Sequence, residues 1–276
     1  MSDPTTEGAR SFPAPVRLDG YFAWTWRSFR ACFARLGPVF AGGVVAASLL
    51  DYGVILFMVE VLDVRPTLEV RALAFAAEVL LLTIAGTLLA AVAAPVFLAD
   101  IAGHRAGSDT GGRRLRPMLG HVIVSALYLA MPLLLLVLFL GGIMRVLLLP
   151  AVLGPPVLVH AIVWERLEFR DAATRAKNLL SGHWGRVLSA LLVLAVGPAL
   201  IQIVGLTTLS LVLPDLDDAG FVGSLWATII VALATAPVWL FTSAAGTVAY
   251  ADLRARAEEL DRETLRAEAA ALPAAP

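Results

Sequence analysis

The sequence predicts an all-α, polytopic membrane protein with six transmembrane helices and additional juxtamembrane amphipathic helices. Hydrophobic residues make up 59% of the 276-residue chain, and its mean hydropathy is +0.83. The apolar residues are gathered into long stretches, and a helix of about 20 such residues spans the ~30 Å hydrocarbon core of a bilayer. Arginines are concentrated in alternate loops between these stretches. Together these features exclude a single water-soluble core and favour repeated membrane crossings.

The apolar stretches define the order of the elements along the chain. Each must be helical, because backbone polar groups cannot stay unpaired in lipid. The predicted spans are 38–62, 74–102, 118–140, 145–164, 185–213 and 223–250.

Basic residues set the predicted orientation of the spans. They are abundant before the first span, between the second and third, between the fourth and fifth, and after the sixth. The other loops carry only Arg65, Arg71 and Arg145, and the last of these loops has acids alone. Because cytoplasmic loops are enriched in arginine and lysine, both termini are predicted to be cytoplasmic. The expected location is the cell (plasma) membrane, specifically a bacterial inner membrane.

Residues 1–17 are polar, lack a signal-peptide pattern and predict a disordered cytoplasmic tail. Two amphipathic segments are predicted to lie beside the bilayer. The first, at 18–36, precedes the six-span membrane domain of 37–250, and the second, at 168–183, is a cytoplasmic helix within that domain. The apolar stripe of the first comprises Leu18, Phe22, Trp26, Phe29, Phe33 and Leu36. The apolar face of the second comprises Ala172, Ala173, Ala176, Leu179 and Leu180.

Residues 251–276 predict a charged cytoplasmic helix followed by a tail. Arg254 and Glu258, and then Glu258 and Arg262, are four residues apart and can pair along one helix face. The segment is interpreted as a solvated extension of the sixth span that ends at Pro273.

Several functional classes lose support from the sequence. The net charge of −1 provides no general attraction for nucleic acid. The four histidines are dispersed without metal-ligand spacing, and no GxSxG, P-loop or GxGxxG pattern occurs. No catalytic residue, metal or cofactor is therefore predicted, and the chain is not expected to be an enzyme. Serines and threonines within spans are expected to bond to the preceding turn or to a neighbouring helix.

Asp51 is the deepest acid in any predicted span and the candidate intramembrane polar site. It could be a proton or ion site, or it could accept a hydrogen bond between helices, and the second reading is preferred. Glu60, Glu78 and Asp100 lie near span ends, where snorkelling or capping explains an acid. The Gly154-Pro155-Pro156 break could line a solute path, although helix kinks of this kind are common in membranes.

Two segments carry a family resemblance. ERLEFRDAATRAKNLLSGHWGRVL, at 165–188, closes a span with a glutamate and continues through a basic amphipathic helix. YADLRARAEELD, at 250–261, resembles a Tyr-Asp-Leu-Arg-x-Arg-x-Glu signature. Both resemble the bacterial integral membrane family named for the glycerophosphoryl diester phosphodiesterase membrane domain. The resemblance implies a membrane domain without the catalytic barrel, for which the chain has no room.

Residues of these two segments are expected to meet at the cytoplasmic ends of the spans. They are Glu165, Arg175, Arg186, Tyr250, Asp252, Arg254 and Arg256. One hypothesis is an ion-pair cluster that clamps the amphipathic helix at 168–183 to the ends of spans four and six. The alternative is an arginine set that binds the phosphates of lipid headgroups. The clamp is the preferred interpretation.

The resulting functional prediction is a non-enzymatic accessory or scaffold module at the cytoplasmic membrane. Its expected partners are membrane lipids and another membrane protein, and its ligand and oligomeric state stay open. The alternative is a lipid or small-solute transporter that uses a polar path near Asp51 and the Gly154-Pro155-Pro156 break.

Overall fold

The computed structural model describes residues 16, 18–57, 68–140, 156–183, 185, 220–258 and 262–271. Within these residues all regular structure is helical. The helices in chain order are α1 (Leu18–Leu56), α2 (Leu68–Ile101), α3 (Ser108–Leu140), α4 (Pro156–Glu165), α5 (Phe169–Leu180), α6 (Gly220–Ala257) and α7 (Arg262–Ala270).

Among the described residues, three helices, α1, α2 and α6, are long and apolar enough to cross a membrane. The candidate membrane spans within them are Gly20–Leu56, Ala76–Ile101 and Gly223–Ala257. Span three of the prediction falls within α3, and α4 contains only the end of predicted span four. Predicted span five, at 185–213, lies outside the described residues apart from residue 185. The all-helical membrane class is therefore supported, whereas the number of crossings stays a prediction.

The first amphipathic segment and the first span form one helix, which differs from the predicted boundary near residue 37. α1 continues through Pro38 over 39 residues, or about 58 Å at 1.5 Å per residue. Phe22, Trp26 and Phe33 of the apolar stripe are exposed, and Leu36 is buried. The exposed aromatic rings suit contact with a lipid interface. The buried side chains of this segment are Tyr21, Thr25, Ser28 and Cys32, together with Leu36.

α1 and α6 pack along each other in antiparallel directions. The N-terminal Tyr21 of α1 contacts Asp252, close to the end of α6. Further along α1, Phe40 and Val44 share a buried apolar cluster with Ala232 and other residues in the first half of α6. This packing brings the start of α1 and the end of α6 to the same end of the bundle.

α2 and α3 approach closely at Gly111. A Cβ atom at this position would overlap the carbonyl oxygen of Val92 and lie 2.8 Å from its carbonyl carbon. The absence of a side chain lets the two backbones meet, as small residues do in membrane helix packing. The link between these helices begins with Gly103, whose φ of 81° ends α2 in the left-handed conformation.

The second amphipathic helix is confirmed in α5. Ala172, Ala176, Leu179 and Leu180 are buried, whereas Arg170, Thr174, Lys177 and Asn178 on the opposite face are exposed. Ser181 and Gly182 follow the helix, and the φ of 79° at Gly182 turns the chain away. α5 therefore packs its apolar side on the bundle and presents a polar face outward.

The helix of span six continues past Tyr250 as predicted, but the prediction that the C-terminal segment is solvated was wrong. α6 ends at Ala257, and α7 folds back onto the bundle with Leu265 and Ala269 fully buried. The physical reason is that these two apolar side chains, one helical turn apart, form a small buried face on an otherwise charged helix.

Candidate functional site

The last two residues of α4, Trp164 and Glu165, lie at the centre of a charged cluster. Arg166 adopts φ 57°, a left-handed conformation that is uncommon for a residue with a side chain. Only residues 166–168 separate α4 from α5. This tight turn holds Glu165 beside the first half of α5.

Glu165 is the acceptor that joins three helices. Its Oε2 accepts from Nε of Arg175 on α5 at 2.9 Å, and its Oε1 accepts from the hydroxyl of Tyr250 on α6. Arg175 also forms an ion pair with Glu258, just past α6. We call Glu165, Arg175, Tyr250 and Glu258 the clamp cluster. Its bonds connect α5 to the ends of α4 and α6, which are the elements that the clamp hypothesis named.

Arg254 extends this cluster to α7. Its NH1 and NH2 donate to Oε2 and Oε1 of Glu268 at 2.8 and 2.9 Å, and its Nε donates to Glu258 at 3.0 Å. The Arg254–Glu258 pair that the i, i+4 spacing predicted is confirmed. Nε1 of Trp164 donates to the same Glu268 carboxylate at 2.7 Å. Burial alone would raise the pKa of Glu268, but the hydrogen bonds from Arg254 and Trp164 lower it, which favours the carboxylate.

Arg114 of α3 caps the end of α4. Its NH1 donates to the carbonyl oxygen of Trp164 at 2.7 Å, and its guanidinium lies 5.3 Å from the ring centroid of that residue. A cation at a helix C-terminus interacts favourably with the helix dipole and the last carbonyl groups. Burial and the neighbouring Arg166 lower the pKa of Arg114 to about 10, against the opposing effect of Glu268. The guanidinium therefore stays charged at neutral pH.

Asp252 is the centre of a separate network that fastens the start of the chain. Its carboxylate is buried, with 1% relative exposure. Oδ1 accepts from the backbone N–H of Val16 at 2.7 Å, and Oδ2 accepts from the hydroxyl of Tyr21. Nε of Arg256 donates to both oxygens at 3.2 and 3.0 Å, and its NH2 donates to the carbonyl oxygen of Val16. Val16 is thus buried and anchored, so the predicted disordered tail does not extend to this residue.

The structure divides the predicted seven-residue cluster into two networks. Glu165, Arg175, Tyr250 and Arg254 meet in the first, whereas Asp252 and Arg256 form the second. Arg186 lies outside the described residues. Both networks lie at the same end of the bundle, because Asp252 and Arg254 are neighbours on the last turns of α6.

The other polar candidates lie apart from these networks. Asp51 is half-buried in the second half of α1. Gly154 and Pro155 lie outside the described residues, and Pro156 begins α4. Asp100, at the end of α2, forms an ion pair with Arg35 of α1 at 3.4 Å. This pairing gives the acid a structural role near a helix end, as its position suggested.

Hydroxyl groups inside the helices behave as the sequence predicted. Thr83, Thr87, Ser125 and Ser243 each donate to a carbonyl oxygen in the preceding turn. His160 of α4 lies 2.8 Å from the hydroxyl oxygen of Thr247 on α6, and its ring stacks on that of Tyr250. Among the residues described, no group of three His, Cys, Asp or Glu side chains could hold a metal ion.

Sequence reasoning missed several members of the two networks. Glu268 and Trp164 had no motif to mark them, although the Leu265 and Ala269 spacing could have indicated that α7 docks. Tyr21 and Val16 are more than 200 residues from Asp252 in sequence. The four-residue spacing of Asp252 and Arg256 was visible and could have indicated an ion pair.

No family model, no curated protein and no solved structure matches this chain. Over the described residues, fold and site define a helical protein of the membrane class, with three helices suited to membrane insertion and a partly buried charged cluster at one end. The resemblance to the glycerophosphoryl diester phosphodiesterase membrane domain family stays a proposal.

Replacing Arg175 by Gln is expected to loosen α5. The change removes two hydrogen bonds to Glu165 and the ion pair with Glu258, and charge-assisted bonds of this kind contribute about 1–2 kcal/mol when partly buried. Hydrogen exchange of the amides in α5 should rise about tenfold, because 1.4 kcal/mol corresponds to tenfold in local opening. Arg170→Gln, on the exposed face of the same helix, is the control. Equal exchange in both variants would contradict the clamp.

Proposed function

We propose that this chain is a non-enzymatic, multi-pass protein of the cytoplasmic membrane that serves as an accessory or scaffold module. Both termini, α5 and α7 lie on the cytoplasmic side in this proposal. Support for that side comes from the distribution of arginine in the sequence. Support for a scaffold comes from the use of the family-like charged residues, which bond to one another and hold helices together.

The observation that carries the proposal is the two-sided character of α5. Its inner face is buried and fastened through Arg175, so the outer face is presented in a fixed position. That outer face exposes Arg170, Thr174, Lys177 and Asn178. Asp171 is exposed on the same helix, so the surface is polar and carries two basic side chains and one acid. A polar surface held in place at the end of a membrane bundle suits contact with a partner protein or with lipid headgroups.

The test is extraction of the tagged protein from its membrane in a lipid-preserving polymer, with proteomics and lipidomics on the same sample. We expect a stoichiometric protein partner that is lost from the double variant Arg170→Glu/Lys177→Glu. The control is Arg113→Glu/Arg116→Glu, which makes the same charge change at exposed positions of α3. A partner that stays with both variants would reject α5 as the docking face. An enriched lipid without any partner would replace the scaffold with lipid handling.

A further inference from the structure

α7 is attached to the bundle by few contacts. Leu265 and Ala269 are its buried apolar side chains, and Nε of Arg266 donates to the carbonyl oxygen of Ala102 at 3.1 Å. Glu268 is a further anchor, which Arg254 and Trp164 bind. A helix of nine residues is marginal in isolation. The bonds to Glu268 therefore help to hold α7 in its docked position.

We propose that Arg254, Trp164 and Arg114 form a binding site for a phosphate ester, which Glu268 occupies in this structure as an internal carboxylate. The two terminal nitrogens of Arg254 reach the two carboxylate oxygens separately, at 2.8 and 2.9 Å. This parallel pair of bonds is the geometry in which guanidinium also binds phosphate. Nε1 of Trp164 adds a third donor to the same carboxylate.

Arg114 provides the second reason. Arg114 is 8% exposed as a residue, and its Nε is buried without a hydrogen-bond partner among the residues described. NH1 of the same guanidinium is already bonded to the end of α4. The charge of Arg114 nevertheless acts on Glu268. A guanidinium that acts electrostatically on Glu268 thus carries a buried donor without an acceptor.

The local charge balance gives the third reason. The guanidiniums of Arg114, Arg175 and Arg254 lie with the carboxylates of Glu165, Glu258 and Glu268, so three positive charges meet three negative charges while α7 is docked. Displacement of Glu268 would leave one positive charge unbalanced, and an incoming anion would be attracted in this partly desolvated setting.

A phosphate group fits the donors of Arg254, Trp164 and Arg114 better than a carboxylate does. It presents three acceptor oxygens, which can serve the Arg254 fork, Trp164 and a further donor together. The Glu268 carboxylate presents two oxygens, and these already accept from the Arg254 fork and from Trp164. The ligand could be a lipid headgroup or a soluble phosphate ester, and the shared chemistry is the phosphate group.

The experiment uses the purified full chain in phosphatidylcholine nanodiscs. Calorimetry measures binding of inorganic phosphate, and native mass spectrometry counts phosphatidic acid retained from nanodiscs that contain it. Hydrogen exchange of residues 262–270 reports displacement of α7. The variant Glu268→Ala removes the internal ligand, and Glu263→Ala alters an exposed acid on the same helix.

We expect Glu268→Ala to bind at least one of the two probes at least tenfold more tightly than the wild type, with Glu263→Ala unchanged. In the wild type, the bound probe should raise exchange in α7. Tight binding of phosphate alone would identify a soluble ligand, and retention of phosphatidic acid alone would identify a lipid headgroup. Equal affinity of the wild type and Glu268→Ala for both probes would overturn the site. The result does not depend on the accessory role, because partner loss and phosphate binding are measured separately.

Discussion

Replacing Asp252 by Asn is expected to lower the free energy of unfolding by about 3 kcal/mol, because it breaks a buried ion pair from one side. The carboxylate is 1% exposed and accepts hydrogen bonds from Val16, Tyr21 and Arg256. Asn keeps the volume and one acceptor oxygen, but its amide nitrogen cannot accept from Arg256 or Tyr21. The guanidinium would then lose its counter-ion in a largely desolvated site. A clear fall in the melting temperature in detergent is the measurement.

Asp109→Asn is a closely matched control for that experiment. Asp109 also pairs with an arginine four residues later, Arg113, at 2.8 Å, but both side chains are substantially exposed. Exposed pairs contribute at most about 1 kcal/mol and usually less. Because the residue change and the helical spacing are the same, the difference between the two variants isolates burial and the additional donors. Equal melting temperatures for the two variants would mean that Asp252 does not anchor the start of the chain.

The sequence could predict the features of this fold that depend on neighbouring residues of one helix. Periodicity placed Ala172, Ala176 and Leu179 on one face of a helix, and that face is buried. A helix spacing of 3.6 residues also marked the i, i+4 pair of Arg254 and Glu258. These features are local, since each depends on residues within one or two turns of the same helix.

The contacts between different helices could not be predicted from such local patterns. The bond from Tyr21 to Asp252 joins residues 231 positions apart, and the bond from Trp164 to Glu268 joins residues 104 apart. Periodicity tells which face of a helix is apolar, but not which helix covers it. For α1 it identified the aromatic stripe as the apolar face, but Phe22, Trp26 and Phe33 of that stripe are exposed, whereas Thr25 and Ser28 beside it are buried. In a membrane protein, apolar residues can face lipid, so hydrophobicity alone does not mark the packed side.

Replacing Gly111 by Ala is expected to destabilise the protein by about 3 kcal/mol, because the helices α2 and α3 meet through backbone atoms there. The added methyl group would overlap the carbonyl oxygen of Val92 and lie 3.1 Å from its Cα atom. A backbone cannot move aside as the end of a flexible side chain can, so the two helices must separate. The separation would disturb the adjacent buried contacts of Ala91, Ala93 and Ala94 on α2. Thermal unfolding in detergent measures the loss.

Gly112→Ala separates that contact from the ordinary effect of alanine in a helix. A Cβ atom at Gly112 would meet nothing within 4 Å, and replacing a helical glycine by alanine stabilises by about 0.5–1 kcal/mol. The two glycines are neighbours near the start of α3, so alanine brings the same intrinsic helix preference to both. A fall in the melting temperature for Gly111→Ala with no fall for Gly112→Ala would assign the loss to the approach of α3 to Val92. A neutral result at both positions would mean that α2 and α3 do not pack through Gly111.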